Sequence, residues 1–340
     1  WRQARPHTRK SMEGSSQQAP LVCPGHSRGV VQVSFSNATP DGVFLLSACL
    51  DGKPMLRRGD TGDWIGTFEG HKGAVWSAKF DAPAFRAATG SADFSARLWD
   101  ALSGDQLSEF NCGHIVKSVD FAPDNNKLLC GGKFKKLKVF DLEKGALMRE
   151  LDGHTAGVKS ALYAPSGTTV FSGGEDKVLR VWDLNSGSQI KAFEVKKEIT
   201  SMQLNCAGKV ITLTSGTEVH FLDTDTLEMI TTLECPIVNP TLGGNVKAQD
   251  ITSASLSPDR AKFIAGGPAD QAWPDPWVHV FDYATGKEVE CNKGHHGHVW
   301  DVAFAPDGET YASGADDGTI RIWRTDPTKA KEGKDDAPAA

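Results

Sequence analysis

Gly153–Asp183 reads GHTAGVKSALYAPSGTTVFSGGEDKVLRVWD. His154 precedes Asp176 by 22 residues, Trp182 follows six later, and Ser172 stands four residues before the Asp. This spacing predicts a buried relay. An Asp in a tight turn accepts from the His ring, the ring meets the hydroxyl, and the hydroxyl meets the indole N–H. Such a set satisfies its own hydrogen-bonding needs, as buried polar groups must.

The same offsets recur at His71, Thr89, Asp93 and Trp99, and again at His295, Ser313, Asp317 and Trp323. Gly-His pairs stand at 25–26, 70–71, 113–114, 153–154 and 294–295. Strand-end pairs at 59–60, 99–100, 140–141, 182–183, 222–223, 281–282 and 323–324 complete seven units, of which only the sixth is overlong. A period of roughly 40–45 residues with Gly-His and Trp-Asp marks is the WD40 pattern, four strands to a blade. The predicted fold is therefore all-β, a seven-bladed WD40 β-propeller.

His, Ser and Asp together also invite a reading as a nucleophilic triad. That chemistry needs one exposed nucleophile in a pocket, whereas this trio repeats at fixed offset beside a strand Trp. The trio is read as structural.

The other repeats depart from the pattern. Repeat one keeps His26, Ser47 and Asp51 but has Arg57 in the Trp place. Repeat three keeps His114, with Phe134 and Phe140 in the Asp and Trp places. Repeats five and six lack Gly-His, so apolar packing is expected to hold them and they should be less rigid. Runs such as Val210-Ile211-Thr212-Leu213 and Val278-His279-Val280-Phe281 still read as strands.

The wheel must close, because an open edge invites aggregation. Repeat seven stops at its third strand, Thr319–Trp323, and Ala19–Cys23 is strand-like. The N-terminal strand is expected to complete the last blade, so deleting 12–24 should damage folding. The propeller is placed at 19–324, after a flexible arm at 1–18 and before a disordered, charged tail at 325–340. Arg2, Arg5, Arg9 and Lys10, without an acid, give residues 1–11 a slight likeness to a transit peptide. With Pro6 inside this short segment and Met12 after it, Met12 as the natural start or a loose arm is the preferred reading. Pro236–Asp250 and Gly267–Pro276 read as loops lengthening repeat six. Trp273 is a candidate docking anchor there, and Trp277 is expected to open a strand and pack inward.

Composition excludes several classes. No apolar run reaches the roughly 20 residues of a membrane helix, and a net charge of −6 argues against broad electrostatic attachment to nucleic acid. The seven cysteines are dispersed, with no C-x-x-C pair. A disulfide framework or zinc site is not expected, and reduced thiols in a reducing compartment are. No phosphate loop or nucleophile elbow stands out, so no enzyme, metal or cofactor is expected, nor a small-molecule substrate.

Asp51–Trp76, DGKPMLRRGDTGDWIGTFEGHKGAVW, resembles the serine-threonine kinase receptor-associated (unr-interacting) family of WD-repeat proteins. Gly113–Phe121 and PDGETYASGADDGTIRIW at 306–323 are similar to that family's third and last repeats. The resemblance covers roughly 20–324. It implies a non-catalytic scaffold associated with the survival-of-motor-neuron (SMN) complex, and hence with spliceosomal snRNP assembly, mRNA processing and mRNA splicing. It also implies binding to the RNA-binding protein unr and a part in receptor kinase signalling. Cytoplasm is the expected compartment, with nucleus as a second. The alternative resemblance is to the WD-repeat subunit of translation initiation factor three. The family's animal members carry a longer C-terminal extension than this chain, and the sixth-repeat loops here are longer.

A propeller presents loops around a channel. The sixth residue counted from each Gly-His falls where the first strand starts, near the channel mouth. This gives Val31, Trp76, Lys159 and Trp300, with Lys117 as the counterpart in the shortened third repeat. Such a rim suits an acidic or peptide-bearing protein partner, since Trp is enriched in hot spots; packing of each Trp between blades is the alternative. The run Lys133–Val139, KFKKLKV, is read as a solvated turn and strand edge in preference to an RNA contact. A propeller that touches RNA directly stays open as a second class.

Overall fold

A computed structural model of the protein describes residues 18–205, 207–235, 237, 248–269 and 277–326. Seven four-stranded antiparallel sheets are present, and none of the described residues is helical. The blades are 1 (Val30–Thr67), 2 (Val75–Asn111), 3 (Val116–Asp152), 4 (Val158–Glu194), 5 (Ile199–Glu234), 6 (Ser253–Asn292) and 7 (Val299–Arg324), the last completed by Leu21–Cys23. Within blades 1 to 6 the strands pair in chain order. The first strands of neighbouring blades pack on one another round the whole circle, so they line the channel.

The strand sequences follow this radial order. Second strands are enclosed on both faces and read as unbroken apolar and small residues, as in Val210–Ser215, VITLTS, all buried. Fourth strands meet water and alternate, as in Ser188–Glu194, SQIKAFE. Between blades the apolar side chains merge: Trp182 of blade 4 packs with Leu137, Val139 and Leu151 of blade 3. Each fully buried Leu, Val or Phe contributes roughly 1.5–3 kcal/mol over exposure. Glycine in the Gly-His pair has a local cause. At Gly153, with φ 155°, a Cβ would stand 3.0 Å from the Trp182 ring.

Closure occurs as the sequence predicts. Leu21, Val22 and Cys23 pair antiparallel with Ile322, Arg321 and Ile320. Gln18 extends the clamp: its side-chain amide donates to Arg324 O at 2.9 Å and accepts from Arg324 N at 2.5 Å. Gln18 therefore belongs to the closure rather than to a flexible arm. Thr325 N likewise bonds to Glu309 O at 2.8 Å, so the propeller holds the first residue assigned to the tail. The rest of both segments lies outside the described residues, as do Trp273 and most of both repeat-six loops.

A second closure device runs round the channel and was not read from the sequence. The third residue from each first strand's start is Gln32, Ser77, Ser118, Ser160, Ser201, Ser253 (after Ile251-Thr252) or Asp301. Gln32 Oε1 accepts from Ala78 N at 2.7 Å, Ser77 Oγ from Val119 N at 3.1 Å and Ser118 Oγ from Ala161 N at 3.0 Å. Ser160 donates to Met202 O at 3.4 Å, and the Ser201 and Ser253 hydroxyls lie 3.2 Å apart, with Ser201 as the donor. Ser255, two residues further in, accepts from Phe304 N at 3.2 Å, and Asp301 from Val33 N at 3.0 Å. Each blade is thus bonded to the next, from blade 1 through blade 7 and back.

Candidate protein-binding rim

The relay residues meet as their spacing requires. In blade 4 His154 Nδ1 lies 2.8 Å from Asp176 Oδ2, His154 Nε2 lies 2.7 Å from Ser172 Oγ, and Trp182 Nε1 donates to Ser172 Oγ at 2.7 Å. Blade 2 repeats this with His71–Asp93 at 2.7 Å, His71–Thr89 at 2.7 Å and Trp99–Thr89 at 2.8 Å. Blade 7 does so with His295–Asp317 at 3.1 Å, His295–Ser313 at 2.7 Å and Trp323–Ser313 at 2.8 Å. Burial pushes the His154 ring below the ordinary histidine range, against the pull of Asp176. Burial alone would raise Asp176, but His154 and Arg180 outweigh it and hold the carboxyl below its usual range. Neutral imidazole facing carboxylate fits Nδ1–H donating to Asp and Nε2 accepting from Ser. No hydroxyl in these sets is left free as a nucleophile: Ser172, Thr89 and Ser313 are wholly buried.

Blade 1 keeps His26–Asp51 at 3.1 Å and His26–Ser47 at 2.7 Å. Arg57 fills the Trp place and donates to Gly62 O at 3.0 Å and to Pro24 O. Sequence spacing did not reveal that Cys49 joins His26 and Asp51, in a group whose ligand atoms all lie within 4.8 Å. The three could in principle hold a metal ion. Their valences are already used, however: the Cys49 thiol donates to Arg28 O at 3.1 Å, and burial pushes its pKa up to about 12. In blade 3, Phe134 and Phe140 stand in the Asp and Trp places, as read from the sequence. Lacking an Asp or hydroxyl to hold it, the His114 ring is exposed beside Phe94, 5.3 Å between centroids. Of the seven cysteines the six described are free thiols, five of them buried.

The channel is polar. A cavity of about 200 Å³ is lined by Gln32, Lys79, Asp120 and Gln203 among others. Burial raises Asp120 and Asp301 to about 6, with Lys79 opposing in both cases. Asp301 accepts from Ser253 at 2.5 Å and Gln203 at 3.0 Å, and Asp120 from Tyr163 N at 2.7 Å. These carboxylates tie blades together.

All five residues expected at the mouth sit on a β-bulge. The ladder between first and second strands shifts between Val30 and Gln32, Val75 and Ser77, Val116 and Ser118, Val158 and Ser160, and Val299 and Asp301. Blade 5 has the same shift around Thr200, a rim position sequence reasoning missed. A bulge re-aims its extra residue out of the pleat, so in these six blades one position leaves the alternation of the first strand, while the ladder of blade 6 has no such shift. Trp76 and Trp300 reach across blade 1 to meet edge to face, 6.3 Å between centroids. Val31 is only 8% exposed and shares their apolar cluster, so it supports the pair instead of offering a contact. His298 stacks on Trp300 at 4.1 Å, and Trp300 Nε1 donates to Asp316 at 2.6 Å. Lys117 places its ammonium over the Trp76 ring, and Lys159 pairs with Glu198 at 2.7 Å. Burial, then the repulsion of Lys133 and Lys159, lowers Lys117 to about 7. Three of the four lysines of the 133–139 run are ion-paired: Lys133 with Glu175, Lys136 with Glu150 and Asp152, and Lys138 with Glu150.

Seven blades, Gly-His loops and third-strand Trp–hydroxyl–His–Asp sets define a WD-repeat β-propeller. In agreement, the WD domain, G-beta repeat family matches residues 62–100, 145–183 and 286–324. The serine-threonine kinase receptor-associated protein of Gallus gallus is 46% identical over 309 residues, 91% of this chain and 83% of that protein. Its Dictyostelium discoideum namesake is 46% identical over 306 residues, 90% of this chain and 98% of that protein. Eukaryotic translation initiation factor 3 subunit I of Nematostella vectensis is more distant, 28% identical over 329 residues. The chain belongs to the serine-threonine kinase receptor-associated protein family.

Proposed function

We propose that this chain is a non-catalytic scaffold that holds proteins of an RNA-processing assembly together through its channel mouth. The observation that carries the reading is the division of its polar chemistry. The His, Ser, Thr and Asp sets are enclosed and mutually bonded, while Trp76, Trp300, Lys117 and Lys159 sit at bulges and stay partly exposed. Trp is among the residue types that carry most of the binding energy at protein interfaces.

At the finer level we assign the assembly to the SMN type, serving snRNP assembly and mRNA splicing, with attachment to a kinase receptor as a second role. The names of the relatives support the receptor role, and the SMN assignment rests on the family resemblance alone. Cytoplasm with a nuclear fraction is the compartment that goes with it. Affinity purification of the tagged chain with mass spectrometry tests the reading: snRNP-assembly proteins are expected, in both fractions. Recovery of initiation-factor subunits instead would replace it with the alternative that the 28% identical relative favours. Direct RNA contact is a second reading only at the level of the lysine run, and a salt titration of filter binding separates it, because phosphate contacts weaken steeply with salt.

A further inference from the structure

Cations near the mouth come with acids from the following blade. Lys133 of blade 3 pairs with Glu175, Lys159 of blade 4 with Glu198, and Lys197 before blade 5 with Asp250 at 2.7 Å. Lys117 breaks the series. Among the described residues no carboxylate stands within ion-pair distance of it, and its charged neighbours are Lys133 and Lys159, with Glu175 further off. The ring it covers carries a second unmet group, since Trp76 Nε1 is buried without an acceptor.

We infer that Lys117 is the seat of a carboxylate supplied by a partner: an acidic side chain of a protein segment entering the channel mouth between Trp76, Lys117 and Lys159. The inference rests on the scaffold reading and names the chemistry of its partner. A carboxylate supplies Lys117 with what Glu175 and Glu198 supply to its neighbours. A partly buried ammonium held near neutrality gains most from an added anion. RNA fits less well. Base recognition by stacking needs open aromatic faces, but Lys117 covers Trp76 and His298 covers Trp300.

The test is selection of a phage-displayed random dodecapeptide library on the intact chain, followed by fluorescence anisotropy of the strongest peptide. The expected peptides share an Asp or Glu. Its change to Asn or Gln, or Lys117→Met in the protein, weakens binding at least tenfold. Lys117→Arg retains most of the affinity, and Lys144→Met, in the turn at the opposite end of blade 3, changes nothing. The inference is overturned by an empty selection, by peptides without an acid, or by unchanged affinity in Lys117→Met of unchanged melting temperature. It is equally overturned if labelled oligouridylate binds as tightly as the peptide and loses affinity in Lys117→Met. Affinity purification separates the two levels. Normal protein recovery by Lys117→Met sinks this seat alone, whereas no recovery by the unaltered chain sinks the scaffold reading.

Discussion

Blades 4 and 6 share a strand plan but not an interior. In blade 4, Trp182 lies opposite Val170, and the relay joins Trp182, Ser172, His154 and Asp176. In blade 6, Phe281 takes the Trp place opposite Phe263, and Ala265 takes the place of the Ser172 hydroxyl. Phe263 and Phe281 stack at 4.9 Å and 9°, and Phe221 of blade 5 meets Phe263 at 5.4 Å and Tyr283 at 4.8 Å. The indole and the hydroxyl are thus both replaced by apolar side chains, in keeping with a buried polar network being worse half-satisfied than absent. The His and Asp places of this blade lie outside the described residues. Blade 1 keeps its His, Ser and Asp without the indole: Arg57 fills the volume while bonding to backbone carbonyls.

The two interiors should fail differently. The largest effect is expected in the aromatic ladder. Phe263→Ala should cost about 3–5 kcal/mol, as core aromatics do, and denaturant titration measures it; a loss below about 1 kcal/mol would mean the ladder does not hold blade 6. Asp176→Ala should cost about 1–3 kcal/mol by leaving a buried imidazole N–H without its acceptor. An unchanged thermal melt would show that the relay is incidental. Trp182→Phe, which keeps most of the ring and deletes one donor, should lose about 1 kcal/mol in hydrogen bonding.

Acid should narrow the gap between relay and ladder. Because the folded-state pKa of His154 is lowered by burial, against Asp176, the unfolded chain takes up the proton first. The stabilisation is whole above the unfolded value and declines as pH falls through it. His154→Asn should therefore melt furthest below wild type near pH 7, with the difference shrinking toward pH 5. A constant difference would mean that the ring is not held neutral. Hydrogen exchange sharpens the remaining point: the lower rigidity expected of blades 5 and 6 predicts faster amide exchange in Val210–Ser215 and Lys262–Gly266 than in Thr169–Gly174. Equal protection would make the ladder a full substitute for the relay.

The relay was legible in the sequence because it spans one blade, where strand and turn lengths fix the offsets between His154, Ser172, Asp176 and Trp182. The ladder was not, because Phe221, Phe263 and Phe281 resemble any apolar strand residue until neighbouring blades bring them together. The ring from Gln32 to Asp301 was missed for the same reason: its bonds join residues 42 to 52 apart in the chain, and the closing one joins residues 268 apart. Its trace was nonetheless there, as one polar residue at a fixed place in every first strand. The positions counted from Gly-His coincide with the bulges because the shift recurs at one place in those blades. Thr200 escaped the count only because repeat five has no Gly-His to count from. The Lys117 seat needed the structure, since its meaning lies in a missing acid.

Structure and binding are assigned to different residues, and quantitative affinity purification of two variants tests that division most directly. Asp176→Ala should melt lower yet recover protein partners undiminished per folded molecule, while Trp76→Ala/Trp300→Ala should keep its fold and lose them. If the relay variant stays folded and loses its partners, or the Trp variant keeps them, the account is contradicted.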